Sequence, residues 1–512
     1  YAKPPMTGYY KNRVVALRNQ LRDKSLVVTL ADKNIGMCIS PKEDYTKAMH
    51  EKLNSPSFRP IDEPTAISIR NRFYRFLMTW SKNFFCDGVL PKEKFIPNLY
   101  KYITRTNPLY HCKFASPYLL YKVHKLSTID IYKRVTFPPT RLIVPCTHTI
   151  SEAISRFLDM EIRPIFLEYA TYNLPDSRTL IQKIERNSFH PEVAMATRDI
   201  VALYPSIPIH DGLTAVDAFL MDKIPNDKRE QLVSILSRVM KTNIIKYDNH
   251  FFIQEIGTAM GTPAAVLFAN IFIHQISFKL IDEYIQNNTL LFFGRLIDDM
   301  ISIFSNSHSQ TEFWIKFDQL HPNIDTTGES KDRLEFLDVV IYKGKRFRNF
   351  GILDIDLHQK IFNRYAYLTP HSFHPPHCTK GWIQAELQRS IRNNSNLATY
   401  LKFRNVFFIR LLNRRYKKKV LLKIFSLVKY ENRNSYIFGT TNRTETNPPK
   451  KIVFTVHYEP TAAALKLGSL INHYWQGLIS NNGIAHWANS RPVVAFKKCN
   501  TLYGKLRRLL PN

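Results

Sequence analysis

Leu290-Leu-Phe-Phe-Gly-Arg-Leu-Ile-Asp-Asp-Met-Ile-Ser-Ile-Phe304 consists of two apolar runs parted by Asp298 and Asp299. Apolar β-formers on both sides of a short polar break predict a β-hairpin with two acids at its tip. Upstream, Val193-Ala-Met-Ala-Thr-Arg-Asp199 reads as a buried strand ending at a third carboxylate, followed by residues 200–204 and a Pro-Ser-Ile-Pro turn. Taken alone, Asp298-Asp299 reads first as an ordinary polar turn. If the strand ending at Asp199 lies beside the hairpin, however, three carboxylates converge. Buried adjacent aspartates are costly unless a cation compensates. Hard oxygen ligands in that number suit Mg²⁺, with Mn²⁺ as a substitute, bound together with substrate phosphates. Two such ions about 3.5–4 Å apart activate an attacking hydroxyl and stabilise a leaving pyrophosphate.

Between these carboxylates lies Gly257-Thr-Ala-Met-Gly-Thr-Pro263, a glycine-punctuated loop leading into an apolar stretch at 264–284. Thr262 stands as N-cap and Pro263 as first helical residue, so loop amides face whatever lies at the helix start. The glycines fit either a tight connection or a loop that a base pair or phosphate approaches closely.

The surrounding chain is long and strongly basic: 512 residues with 72 Lys+Arg against 42 Asp+Glu, a formal charge of +30. Hydrophobic residues at 44% and aromatics at 13% suffice for a sizeable core, which excludes a small regulatory module and wholesale disorder. The charge points to a polyanionic partner. Six cysteines without a C-x-x-C pair fit neither a disulfide scaffold nor a zinc ribbon, so a reducing, intracellular compartment is expected. The best apolar run, 264–273, ends at His274 and Gln275 and falls short of the roughly 18–20 residues of a membrane span, predicting a chain without one. The sequence begins at Tyr1, so a missing leader segment carries no weight.

Along the chain, a strand-like run at 25–30 and a helical pattern at 66–85 precede a basic stretch at 117–145 that reads as a hairpin or finger. Residues 186–345 are less basic and form the candidate catalytic core. Residues 380–430 carry 13 Lys+Arg and one acid, Glu386, on a helical pattern with Leu387, Ile391, Leu401, Phe408, Leu411 and Leu422 among its apolar positions. The polar stretch 431–449 reads as a linker before a last small unit.

In this order the motifs resemble the palm of a reverse transcriptase. Thr-Arg-Asp199-Ile-Val-Ala-Leu-Tyr204 looks like motif A, Gly257 to Pro263 with Leu267-Phe-Ala-Asn-Ile-Phe272 like motif B, and Arg295-Leu-Ile-Asp-Asp299 like motif C. The wording is most similar to Penelope-like retroelements, the sister group of telomerase reverse transcriptases. Ala31-Asp-Lys-Asn34, Tyr121-Lys-Val-His-Lys125, Arg141-Leu-Ile-Val144, His321-Pro322, Phe336-Leu-Asp-Val339 and Ser372-Phe-His-Pro375 with Lys380-Gly381 carry the likeness over most of the chain. Leu296 stands where that family usually has tyrosine, a form similar to telomerase. Residues 453–512 look like the segment that precedes a GIY-YIG endonuclease, and no nuclease motif is present.

The resemblance implies an α+β right-hand polymerase: an N-terminal extension at 1–110, fingers at 111–185, an antiparallel-sheet palm at 186–355, a basic helical thumb at 356–440 and a connector at 441–512. It implies an RNA-directed DNA polymerase, extending a DNA primer with dNTPs on an RNA template, inside the cell, in the nucleus or in a compartment left open. The alternatives are a telomerase-like or domesticated enzyme at chromosome ends, or a non-catalytic nucleic-acid-binding protein derived from one. Asp199 and Asp298 become the principal metal ligands, with Asp299 a third acid beside them. Tyr204 becomes a gate against the ribose 2′-OH, or else a packed aromatic, and Gly261 the floor of the nascent base pair, while Asn270 reads as structural. Lys122, Lys125 and Arg141 would grip the triphosphate, or else stay solvated or touch template phosphate. Phe336, Leu337 and Asp338 resemble a primer grip, which an ordinary hairpin would also explain. Arg414, Arg415, Lys417 and Lys418 would follow a duplex backbone, with an A-form hybrid the expected duplex. His371, His374, His377 and Cys378 have zinc-compatible spacing, but a closed site would need its fourth ligand in a loop containing Pro375-Pro376, so the metal-free reading is preferred.

Overall fold

The computed structural model describes residues 8–86, 113–126, 137–360, 363, 365–372, 374–439, 451–457, 467–480 and 490–497. The chain begins with helix α1 (Gly8–Asp23), then β1 (Leu26–Leu30) and β2 (Met37–Pro41), an antiparallel pair with Thr29 opposite Cys38. Helix α2 (Lys42–Leu53), β3 (Phe58–Ile61) and α3 (Glu63–Cys86) follow. The basic stretch forms the expected hairpin, β4 (Tyr118–Tyr121) against β5 (Thr140–Ile143), with Leu120 opposite Arg141. Val27, Tyr45, Met49 and Leu53 share one core with Leu119, Tyr121 and Val144. Residues on both sides of position 110 thus share a single apolar core, in which β1 and α2 pack against the β4–β5 hairpin. The aromatic face of α3, with Phe73, Trp80 and Phe84, packs instead into the largest core of the molecule.

That core is built by α4 (Glu152–Tyr169) and by the helices that follow a short α5 (Ser177–Glu185), β6 (Ala194–Ile200) and the one-turn α6 (Leu203–Ser206): α7 (Ile209–Leu220) and α8 (Asn226–Lys241). Strands β7 (Ile244–Tyr247) and β8 (His250–Gln254) pair with each other and, through β8, with β3. Then come α9 (Pro263–Gln286), the hairpin β9 (Leu290–Leu296) and β10 (Asp299–Phe304), α10 (Ser307–Asp318) and β11 (Thr326–Ser330). The central sheet has order β11-β6-β10-β9 and is antiparallel throughout. Met300 and Phe304 face the helical layer, while Ile301 and Ile303 face a second core under α5. A strand covered on both sides reads as a continuous apolar run, which is why 300–304 lacks polar alternation. Each such buried side chain contributes roughly 1.5–3 kcal/mol.

Two features of α9 differ from expectation. Thr262 takes the extended N-cap backbone, but its side chain makes no capping hydrogen bond. Moreover the apolar stretch does not stop at His274: α9 is, among the described residues, the one helix long and apolar enough to cross a membrane. Its apolar positions are mostly buried under α4, α7 and the sheet, which accounts for an all-round apolar helix within a protein core.

The second core is closed by a smaller sheet, β12 (Arg333–Phe336), β13 (Val339–Tyr342), α11 (Lys345–Phe350) and β14 (Asp354–Leu357). The expected basic helical region follows as α12 (Pro376–Arg392), α13 (Leu397–Asn413) and α14 (Lys418–Phe425). Leu387, Ile391 and Leu411 are fully buried there, Phe408 packs partly, and Leu401 and Leu422 lie exposed. The start of the expected linker is instead ordered: α15 (Arg433–Phe438) buries Ile437 in the second core, and Arg433 Nη2 donates to Glu185 Oε1 at 2.6 Å. The last unit is β15 (Lys451–His457), α16 (Leu467–Ser480) and β16 (Arg491–Lys497), the two strands pairing in parallel.

Candidate active site

The β9–β10 turn has two residues, Ile297 and Asp298, because Leu296 pairs with Asp299. Ile297 takes φ 60, a left-handed backbone that a β-branched residue adopts only under compulsion. The two-residue loop itself demands a positive φ at its first position, and Arg295, 5% exposed, holds that turn in place. Its Nη1 donates to Asn270 Oδ1 at 2.8 Å and to the Ile297 carbonyl at 2.9 Å, and its Nη2 to the Asn270 carbonyl at 2.9 Å. The acidic turn is thus tied to the middle of α9, and Asn270 is structural as expected. Burial lowers the Arg295 guanidinium to about 10, opposed by the charge of Asp298. The sequence reading gave Arg295 no role, although an arginine inside Leu-Leu-Phe-Phe-Gly-Arg-Leu-Ile was a visible signal.

Across the sheet, Asp299 stands directly opposite Asp199 in antiparallel register, so both side chains leave the same face. The Ile200 amide donates to the Asp298 carbonyl at 3.1 Å and holds the turn against β6. Surrounding protein pushes Asp299 up to about 6, and the charges of Asp298 and Asp199 push in the same direction, although the side chain still meets solvent. Asp199 is raised by burial and then by Asp298. The three carboxylates therefore converge and repel one another. Among the described residues, no three His, Cys, Asp or Glu side chains form a preassembled metal cage, these aspartates included. The donor set nevertheless fits a hard divalent cation, which would relieve the repulsion.

Several cations act on the carboxylates through their charge. Lys125 and Arg141 oppose the upward shift of Asp199, as does Lys33, and Lys360 acts in the same way on Asp299. Lys33 and Lys360 were missed: Lys33 lay inside a quoted motif without a role, and Lys360 in no motif. Lys122 is half-buried, lowered by burial and then by the charges of Arg141 and Lys125. Tyr204 is pushed to about 12 by burial and then by Asp298, with Arg141 opposing. Its ring packs partly on the main core, so it is both a packed aromatic and a wall of the carboxylate site.

The loop glycines have a structural cause. Gly257 takes φ 75, and a β-carbon there would stand 2.5 Å from Pro205 Cα. Gly261 takes φ 137, and a β-carbon would stand 2.6 Å from the Val144 carbonyl oxygen. The loop is thus clamped between the turn carrying Tyr204 and the end of the fingers hairpin.

Residues 336–339 form a tight hairpin with Leu337 at φ 55. Phe336 is buried in the second core, and Leu337 packs partly against it. Asp338 accepts from Arg389 Nη1 at 2.6 Å and Asn393 Nδ2 at 2.9 Å. Burial raises this carboxyl, but hydrogen bonds from Ser177 and Arg389 and the Arg389 charge outweigh it and leave the pKa below the ordinary value. Asp338 therefore ties the small sheet to α12. Arg414 donates to the Tyr367 carbonyl, while Arg415, Lys417 and Lys418 stand exposed between α13 and α14. His371 and His374 are exposed, Cys378 is half-buried, and the His377 side chain lies outside the described residues.

No protein-family model matches the chain, and no curated protein matches it in sequence. Among solved structures, telomerase from Candida albicans in complex with a TWJ fragment of telomeric RNA aligns over 82% of this chain and 69% of its own, with TM-score 0.51 at 10% identity. The chain has a right-hand polymerase fold. Telomerase from Candida tropicalis, truncated of its C-terminal domain, aligns over 64% of this chain and 63% of its own (TM-score 0.43, 10% identity). The apo telomerase of the same organism aligns over 59% and 60% (TM-score 0.35, 11% identity).

Proposed function

We propose that the protein is an RNA-directed DNA polymerase. The observation that carries this reading is the register of β6 and β10, which gathers Asp199, Asp298 and Asp299 beside Tyr204, Lys125 and Arg141. In the reaction, a primer 3′-hydroxyl oxygen bonds to the α-phosphorus of a dNTP, the bond to pyrophosphate breaks, and the hydroxyl proton leaves to solvent. Asp199 and Asp298, with Asp299 beside them, would hold two Mg²⁺ ions, which when bound acidify the hydroxyl and neutralise the leaving pyrophosphate. The protein's own part is positioning. Arg295 and Asn270 fix the acidic turn, Lys125 and Arg141 bind the triphosphate, and Tyr204 excludes a ribose 2′-OH. Leu337 at its hairpin tip contacts the primer strand, and Arg415, Lys417 and Lys418 follow the duplex backbone.

Primer extension on an RNA template with Mg²⁺ and dNTPs tests the reading. The wild-type chain is expected to extend, and an Asp298→Asn, Asp299→Asn variant to lose at least about 1,000-fold in rate while still binding the hybrid. Binding without extension by the wild type would leave a nucleic-acid-binding protein.

Two biological roles share this chemistry. The motif wording supports a Penelope-like element, whereas the likeness to a telomerase bound to telomeric RNA supports an enzyme of chromosome ends and is the better-supported alternative. Repeated copying of one short RNA segment onto a single-stranded DNA 3′ end would favour the second role. Continuous copying along a long RNA would favour the first.

A further inference from the structure

The turn joining β1 to β2, Ala31-Asp-Lys-Asn34, is fixed against the fingers by two contacts. Ala31 bridges Tyr121 at the end of β4, and Ser40 Oγ shares a buried 2.6 Å hydrogen bond with Tyr121 Oη. Asp32 is 6% exposed, and its Oδ2 lies 3.5 Å from Arg141 Nη2, with no hydrogen bond satisfying that oxygen. A carboxylate buried in this way persists because the guanidinium charge offsets its desolvation, and in return it restrains Arg141 on the site side of the hairpin. The next residue, Lys33, takes φ 60 and ψ 31. That left-handed conformation is strained for a lysine, a strain that persists where the surroundings impose it. The lysine side chain is exposed, and its charge is felt at Asp199, at Asp299 and at His124 beside Lys125.

Resting on the polymerase reading, we infer that Lys33 is a third cation of the nucleotide site, delivered by the N-terminal hairpin to bind the triphosphate of the incoming dNTP together with Lys125 and Arg141. A flexible ammonium on an exposed turn suits a phosphate oxygen as a point-charge partner. The Asp32–Arg141 pair couples the turn to the fingers hairpin, so the two basic elements approach the same ligand as one body.

The test uses the full chain bound to a primer–template hybrid, with dATP and Mg²⁺ as probe. Lys33→Ala is expected to raise both the dATP Kd and the KM in extension by roughly 10–100-fold, the loss of one charge-assisted hydrogen bond, with hybrid Kd unchanged within about twofold. Lys33→Gly, which relieves the backbone strain but also lacks the charge, should behave like Lys33→Ala, and Lys33→Arg should recover most of the loss. An unchanged dATP Kd overturns the inference. So does an equal weakening of hybrid binding, which would place Lys33 on the nucleic-acid backbone. A wild-type chain that neither extends a primer nor binds dATP with Mg²⁺ overturns the polymerase reading and this inference together. A wild-type chain that extends while Lys33→Ala binds dATP normally overturns only the latter.

Discussion

Asp299 sits among charges of its own sign, and its behaviour with pH follows from that. Its carboxyl is held at about 6, above the ordinary 3.8, by burial and then by Asp298 and Asp199. Between those two values the native state binds more protons than the unfolded state, so the site costs stability at neutral pH and the cost is relieved as pH falls through about 6. Without divalent ions, Asp299→Asn is therefore expected to have a higher denaturation midpoint than wild type at pH 7.5, with the gap narrowing as pH falls below about 6 and closing only near 3.8. Saturating Mg²⁺ should abolish the difference at pH 7.5. A variant no more stable than wild type at pH 7.5 would show that the carboxylates do not repel. Arg295 presents the opposite case, a cation kept in the core because the Asn270 side chain and two carbonyls accept from it.

At the scale of elements, the acidic hairpin is aimed by α9. The tie runs from Arg295 on β9 to Asn270 on the helix, while the Ile200 amide holds the turn to β6. Asn270→Ala removes one acceptor from a buried guanidinium and should cost about 1–3 kcal/mol in urea denaturation. In extension assays the same variant should lower kcat more than it raises the KM for dNTP, because the carboxylates lose their placement while the basic fingers keep theirs. An unchanged kcat would mean that the turn aims itself. The small sheet is tied in another direction: Asp338 accepts from Arg389 of α12 and from Asn393 at its C-terminal cap, so Phe336 and Asp338 read as core and anchor, and Leu337 is left at the tip. The sequence could not separate these roles, because Phe-Leu-Asp followed by an apolar strand is the same text for a primer grip and a packed hairpin.

For the whole molecule, the charge of +30 is unevenly placed. Exposed Arg415, Lys417 and Lys418 lie together at the junction of α13 and α14, away from any paired acid among the described residues. Replacing these three cations with alanine should weaken hybrid binding at every sequence tested and reduce the slope of log affinity against log salt by about 2–3, near 0.9 for each phosphate no longer neutralised. An unchanged slope would place the duplex elsewhere. The chain after the basic helices is tied back to α5 and the second core through Arg433, paired with Glu185, and through Ile437, a return path hidden in a stretch whose polar composition reads as a linker. The sequence by itself determined the strand ending at Asp199, the acidic hairpin, the apolar helix behind it, the fingers hairpin and the basic helices, because alternation, turn chemistry and charge are local properties. It also set Asp199, Asp298 and Asp299 in order along the chain. Only the tertiary structure decided that Asp299 faces Asp199, a hundred residues apart in sequence, that the first hairpin is tied to the fingers hairpin through Asp32 and Arg141, and that residues on both sides of position 110 share one core. Such contacts carry no local periodicity: they are fixed when apolar faces far apart in the chain find a common register and bury each other.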